Sequence, residues 1–180
     1  VAFEDVAEAH CTVANRVYRQ LRGRAGDVRL AVCPTVYCGM GTETYLARMG
    51  VLLDPRIEVF WTGPEICSRE LTLHHAVTVE RTLNRPALFW DNYPVNDCEM
   101  TGELHIGPYR NRDSHLYRAA IGIVANGMEL AESSSIPFLT VADYLWNPEA
   151  YDPEESWRRA IEVVVGEEDY ADFCRFADNS

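Results

Sequence analysis

Glu4 and Asp5 place two carboxylates side by side near the start of the chain. Ionised groups held that close push one pKa upward, so the pair contains a candidate general acid. In a regular strand the two side chains would face opposite sides, and both address one pocket only where the chain is already leaving the strand. An acidic pair favoured by the macrodipole at a helix N-terminus would look the same, and spacing does not separate the two readings. A second cluster, Trp90-Asp91-Asn92-Tyr93 followed by Asn96-Asp97, has the make-up of a sugar site. Carboxylates and amides hydrogen-bond hydroxyls while aromatic faces cover the apolar side of a ring. A turn built from Asn, Pro and Asp would use the same residues. Tyr37 and Asn126 are weaker candidates taken singly. His10, His74, His75, His105 and His115 show no ligand spacing, and no cysteine pair is spaced C-x-x-C. Neither a metal nor any other cofactor is expected.

These groups need elements to position them. Apolar runs at residues 1–3, 29–33, 57–61, 87–90 and 121–125 are too short for buried helices and right for buried strands. Between them, Val13, Val17 and Leu21 with Ala14 and Tyr18, then Leu46, Met49 and Leu53, then Leu73, Ala76, Val77 and Leu83 have helical spacing. Strands apolar on both faces, alternating with helices about every 30 residues, indicate βα units around a parallel sheet. Each strand runs directly into polar groups: Glu4-Asp5, then Thr35 and Tyr37, then Thr62, then Asp91-Asn92, then Asn126. C-terminal strand ends of parallel α/β folds share one edge, where ligands bind, so these groups should converge.

Residues 92–112 are rich in Gly, Pro, Asn and Asp and read as a long loop, of the length that is usually functional. Residues 138–146 read as a helix ended by Asn147-Pro148. Asp152 then caps another helix, with Pro153 at its first position and Glu155 completing a capping box. A last acidic helix spans about residues 167–177.

With 180 residues, 47% of them apolar, the chain has the material for one globular domain or a large piece of one. Its 16 basic against 28 acidic residues leave a net charge of −12, which argues against nucleic acid and anionic membrane partners. No apolar run approaches the roughly 18 residues of a spanning helix, and a soluble protein, cytoplasmic or secreted, is expected. The chain opens on Val1 and enters an apolar run at once, so an N-terminal portion is expected to precede it. Its six cysteines are too sparse for a disulfide scaffold and are expected mostly as small buried hydrophobes.

A set of ordered strings carries a resemblance. Phe3-Glu4-Asp5-Val6, Cys33-Pro34-Thr35-Val36-Tyr37-Cys38-Gly39, Phe60-Trp61-Thr62-Gly63-Pro64, Trp90-Asp91-Asn92 through Asn96-Asp97, Ile106-Gly107-Pro108-Tyr109 and Asn126-Gly127-Met128-Glu129 resemble glycoside hydrolase family 84. Ala131-Glu132-Ser133-Ser134 and Trp146-Asn147-Pro148 extend the match over essentially the whole chain. That family includes O-GlcNAcases and bacterial β-N-acetylglucosaminidases. Its catalytic domain is an α/β fold, the (β/α)8 TIM barrel. The resemblance implies that residues 1–150 cover about strands 4 to 8, the C-terminal part of that barrel. Residues 151–180 would be flanking helices leading to a helical domain. The N-terminal half of the barrel, with the family's sugar-binding glycine and lysine, would be missing here.

By the same resemblance the reaction removes β-linked N-acetylglucosamine from a glycan or glycoprotein through neighbouring-group participation. The substrate's 2-acetamido oxygen attacks the anomeric carbon, and Asp5 acts first as general acid and then as general base. Glu4 falls where the family has an aspartate that polarises the acetamide N–H, a departure of one methylene. Tyr37 and Asn92 match the pair contacting the acetamide, and Trp90 matches a wall of its pocket. Asp97 matches the aspartate holding the O4 and O6 hydroxyls, and Asn126 the asparagine on a ring hydroxyl. Cys33 and Thr62 would line the pocket. A non-catalytic glycan-binding relative, disabled through Glu4, is the alternative the sequence leaves open.

Overall fold

A computed structural model describes residues 3–177 of the chain. In order they form α1 (Val6–Ala25), β1 (Leu30–Val32), α2 (Thr44–Leu52), β2 (Ile57–Trp61), α3 (Leu73–Leu83), β3 (Ala87–Asp91), β4 (Ala120–Ala125), α4 (Ser135–Trp146) and α5 (Pro153–Ala177). The expected first strand falls partly on residues 1 and 2, outside the described residues, and Phe3 belongs to no strand. The other four strands are present and lie in sequence order, β1-β2-β3-β4, in one sheet. β1 runs parallel to β2 with Leu30 opposite Ile57, and β2 parallel to β3 with Phe60 opposite Leu88.

The chain divides into two compact units. One comprises the residues up to Trp90 together with Leu116–Val124, and the other comprises Asp91–His115 and the residues from Ala125 onward. In the first unit the strands alternate more than their composition suggests. Ile57, Val59, Trp61, Ala87 and Phe89 are completely buried, while Glu58, Phe60, Leu88 and Trp90 between them are half-buried. The period of two sorts them onto two faces. Trp61 and Phe89 meet edge to face at 5.8 Å in one set, Phe60 and Trp90 at 5.3 Å in the other. Leu46 and Met49 of α2 and Ala76, Val79 and Leu83 of α3 join the buried set. α2 and α3 approach so closely at Gly50 that a Cβ there would stand 2.5 Å from the Thr82 carbonyl oxygen.

Two sequence expectations need correction. α1 buries Ala7, Cys11 and Tyr18, whereas Val13 and Val17 stay 60% and 40% exposed. The face of α1 that packs is therefore rotated from the stripe that Val13 and Val17 suggest, and these two flank an open groove beside β1. Of the six free cysteines only Cys11 is buried, and Cys33, Cys67 and Cys98 are exposed. These three lie in loops, where no core is available to them.

Arg85 fastens the base of this unit. Its guanidinium is buried, and it donates to the carbonyls of Leu83 (3.1 Å), Asp54 (2.7 Å), Ile57 (2.9 Å), Gly50 (3.4 Å) and Leu53 (3.0 Å). One side chain thereby satisfies the end of α2 and the entry to β2. Arg85→Met keeps the apolar stem but strands several buried acceptors, which should cost about 3 kcal/mol of stability in denaturant titration of the intact protein.

The second unit is held by α4 and α5. Ile136, Ala160 and Ile161 form its buried cluster, with Trp157, Tyr170 and Phe173 packed on it. Asp152 caps α5 through the Glu155 N–H at 2.8 Å with Pro153 in the first position, as its sequence predicts. The carboxylate of Glu155 pairs with Arg159 at 2.7 Å. Gly166, at φ 82 and ψ 168, breaks α5 where the sequence predicts a separate last helix. No helix of the described residues is long and apolar enough to cross a membrane.

Candidate active site

Asp5 is the N-cap of α1. Its backbone is extended (φ −153, ψ 175), and its carboxylate accepts from the Glu8 N–H at 2.8 Å. Glu8 reaches back to the Glu4 N–H at 2.6 Å. Arg48 of α2 joins both acids, with Nε 2.9 Å from Asp5 Oδ2 and Nη2 3.2 Å from Glu4 Oε2. The two carboxylates therefore share one cation. The expected upward pKa shift is overturned for Asp5. The Glu8 N–H and then Arg48 hold its carboxyl below the ordinary value, outweighing the opposite effect of partial burial. For Asp5, helix capping and a local cation decide the direction.

Tyr37 and Thr62 come together through the backbone just past β1 and β2. The Thr62 N–H donates to the Tyr37 carbonyl at 2.7 Å, and the Gly39 N–H to the Gly63 carbonyl at 3.0 Å, so the parallel ladder continues beyond both strands. Gly63, at φ 106, turns tightly there, and a Cβ would stand 2.3 Å from Ser68 Oγ. The Thr62 side chain is buried, its hydroxyl within reach of the Glu65 carbonyl (2.9 Å) and the Tyr37 carbonyl (3.3 Å). Thr62 thus builds the turn. Cys33 and Thr35 lie along the groove of about 530 Å³ between α1 and β1, whose lining includes His10, Tyr45 and Met49 but neither acid. Trp90 stands at the end of β3 against Phe60.

In the second unit, Asn92 and Asn126 meet directly. The Asn126 side-chain amide donates to Asn92 Oδ1 at 3.0 Å, and the Asn126 backbone N–H to the Asp91 carbonyl at 2.9 Å. Asp91 does not belong to the sugar-binding set that its neighbours suggest. Its side chain is only 1% exposed and is taken by Arg112 and the Tyr109 hydroxyl. Asp91 is the last residue of β3 and Asn92 the first beyond it, and their side chains have different partners, Arg112 and Tyr109 for the one and Asn126 for the other. Burial and the adjacent Asp91 carboxylate push the Tyr109 phenol well above its ordinary pKa, so it stays a donor.

Asp97 opens the 3₁₀ turn Cys98–Met100 within the long loop. That loop is fastened on itself. The Asn96 side chain donates to the Glu103 carbonyl at 2.9 Å, and His105 places Nδ1 2.8 Å from the Val95 carbonyl and Nε2 2.8 Å from Glu103 Oε2. Both ring nitrogens face acceptors, so the imidazolium suits the position. Although burial opposes it, the Glu103 carboxylate and the two backbone carbonyls raise the His105 pKa above its ordinary value. Among the described residues no group of three metal-ligating side chains forms.

Sequence reasoning passes over Arg48 and Arg112. Neither stands in a motif spacing, and only the fold brings them to Asp5 and Asp91.

Comparison with known proteins closes the question of family. The profile described as beta-N-acetylglucosaminidase matches residues 2–178. Protein O-GlcNAcase of Rattus norvegicus and that of Mus musculus are each 30% identical over 148 residues, 79% of this chain. The chain spans 16% of the length of those relatives. A mutant of the O-GlcNAc hydrolase of Thermobaculum terrenum superposes with a TM-score of 0.95 at 42% identity, covering 97% of this chain and 38% of that one. CpGH84B superposes with a TM-score of 0.86 at 32% identity, covering 93% and 31%. The chain belongs to the β-N-acetylglucosaminidase family, glycoside hydrolase family 84.

Proposed function

We propose that this chain forms about strands 4 to 8 of a (β/α)8 catalytic barrel, with residues 151–180 as flanking helices. The whole enzyme is a retaining β-N-acetylglucosaminidase acting by substrate assistance. The observation that carries the reading is the family match over residues 2–178, which supports reading Glu4 and Asp5, two acids held on one cation by Arg48, as the catalytic pair. The relatives named for O-GlcNAc point to glycosylated proteins as the substrate class.

In the first step the acetamido carbonyl oxygen attacks the anomeric carbon, the glycosidic bond breaks, and Asp5 gives its proton to the departing oxygen. Glu4 accepts a hydrogen bond from the acetamide N–H, so that charge developing on the oxazolinium ring is met by a fixed carboxylate. In the second step water attacks the anomeric carbon, Asp5 takes its proton, and the acetamide is restored with net retention. Tyr37 and Asn92 contact the acetamide, and Trp90 walls its pocket. Asp97 holds O4 and O6, Asn126 holds a ring hydroxyl, and Cys33 and Thr62 shape the cavity. The test is turnover of an aryl β-N-acetylglucosaminide by the intact protein, following the first-formed anomer by NMR. β-N-Acetylglucosamine is the expected product; the α-anomer or no turnover would overturn the proposal.

Arg48 gives this reading a pH signature. By holding Asp5 ionised it suits the base half of the cycle and opposes the acid half. Arg48→Met removes a cause that lowers the Asp5 pKa, so the acid form should persist to higher pH. The basic limb of the kcat/KM profile should then move upward in pH, whereas an unmoved limb would separate Arg48 from the proton transfer.

A further inference from the structure

We infer that the buried Asp91–Arg112–Tyr109 cluster is a positioning device that sets the Asn92–Asn126 amide pair for the substrate. The inference rests on the substrate roles proposed above for those two asparagines. Asp91 is 1% exposed at the end of β3, and the Arg112 side chain is 8% exposed. Arg112 grips the carboxylate with two nitrogens, Nε to Oδ2 at 2.8 Å and Nη2 to Oδ1 at 2.6 Å. The Tyr109 hydroxyl donates to Oδ2 as well, and the Arg112 guanidinium lies over the Tyr109 ring at 4.9 Å. The far side of Arg112 is fixed by Nη1 to the Arg110 carbonyl at 2.8 Å. The Tyr109 backbone is itself anchored, its N–H on Thr140 Oγ1 at 3.0 Å and its carbonyl on the Tyr151 hydroxyl at 2.7 Å.

What this cluster holds is the residue before Asn92. Two covalently adjacent side chains cannot be aimed independently: a carboxylate locked on three donors fixes the peptide that carries the Asn92 amide. The same residue's carbonyl receives the Asn126 N–H at 2.9 Å, and the Asn126 amide then donates to Asn92 Oδ1 at 3.0 Å. One buried acid thus orients both asparagines, by its locked side chain and by its backbone carbonyl. A buried ion pair contributes little net stability compared with an apolar pair of the same size, so orientation is the reason to place one here. The fork geometry matters, because lysine would keep the charge and lose the second contact.

The test is a cycle of variants in the intact protein. Arg112→Lys should lower kcat/KM on an aryl β-N-acetylglucosaminide by roughly 10- to 100-fold, the cost of a small misplacement of binding groups. In an Asn92→Ala, Asn126→Ala background the same change should cost no more than about 2-fold, because its effect passes through those amides. Hydrogen exchange gives a readout independent of turnover: Arg112→Lys should speed exchange at the Asn126 amide while leaving the amides of β1 unchanged. Tyr109→Phe, which removes one donor at constant shape, should give a smaller change of the same pattern and serves if Arg112→Lys folds poorly. Equal losses in both backgrounds, or an unchanged Asn126 amide, would overturn the inference. An unmodified protein without turnover would defeat the functional reading alone, and the exchange pattern would still decide the positioning role.

Discussion

Asp5→Asn should lower kcat/KM about 10³-fold on a substrate whose leaving group is a poor one, such as a serine-linked N-acetylglucosamine, since general acid catalysis is worth roughly 10²- to 10⁴-fold. On an aryl glycoside with a strongly activated leaving group, kcat/KM should fall less than about 10-fold, because that oxygen departs with little protonation. On the same activated substrate kcat should still drop, since breakdown of the oxazoline needs Asp5 as base. The split follows from the two roles of one carboxyl group. Equal losses on both substrates would argue against Asp5 as the proton donor, and no loss on either would leave it only the capping task it performs through the Glu8 N–H at 2.8 Å. Far-ultraviolet circular dichroism controls for this second role, because asparagine is nearly as good an N-cap as aspartate and should leave α1 intact.

Glu4→Ala should lower kcat by about 10²- to 10³-fold while changing the affinity for N-acetylglucosamine much less. The carboxylate acts on charge that exists only in the transition state, and removing such a donor or acceptor costs in that range. Glu4→Asp would place the family's own side chain at this position. If Glu4 is a tolerated substitute, Glu4→Asp should keep or raise turnover. If the unmodified protein is inactive and Glu4→Asp restores turnover, the chain is the disabled glycan-binding relative. Turnover unaffected by Glu4→Ala would remove Glu4 from the acetamide and take the main support from substrate assistance. Arg48, 3.2 Å from Glu4, is the partner through which this acid is now steered, so its contact belongs in the interpretation of either variant.

The fold was legible where a local pattern and tertiary packing agree. Residues 57–61 and 87–91 form strands in the expected order because short apolar runs between helices have few other places to go. Pro153 after Asp152 marks the start of α5 because its fixed φ and missing N–H suit a first turn. The face of α1 was harder to read. Val13 and Val17 have the right period, yet small Ala7 and Cys11 with Tyr18 are what the fold buries, and composition does not rank stripes of similar hydropathy.

Residue types and expected strand ends singled out Glu4 and Asp5 as acids and Asn92 and Asn126 as amides, and the structure brings the two amides together. Asp91 closes β3 and is buried on Arg112 and Tyr109, whereas Asn92 just beyond it meets Asn126, although the two are neighbours in one motif. Charges supplied from afar were invisible. Arg48 lies 43 residues from Asp5 and Arg112 lies 21 from Asp91, and neither stands in a pattern that announces its partner. The sign of the Asp5 pKa shift follows first from the Glu8 N–H and then from Arg48, whereas two adjacent acids alone argue for the opposite direction.

The central claim is that the substrate's own acetamide is the nucleophile, and fluorination of that group tests it most directly. Replacing N-acetyl by N-fluoroacetyl, N-difluoroacetyl and N-trifluoroacetyl withdraws electron density from the attacking carbonyl oxygen with little change in size. With the intact protein and one aryl leaving group, kcat/KM should fall steeply and steadily along the series. A flat series in an active enzyme would contradict the account, because a carboxylate nucleophile from the protein would be indifferent to the change.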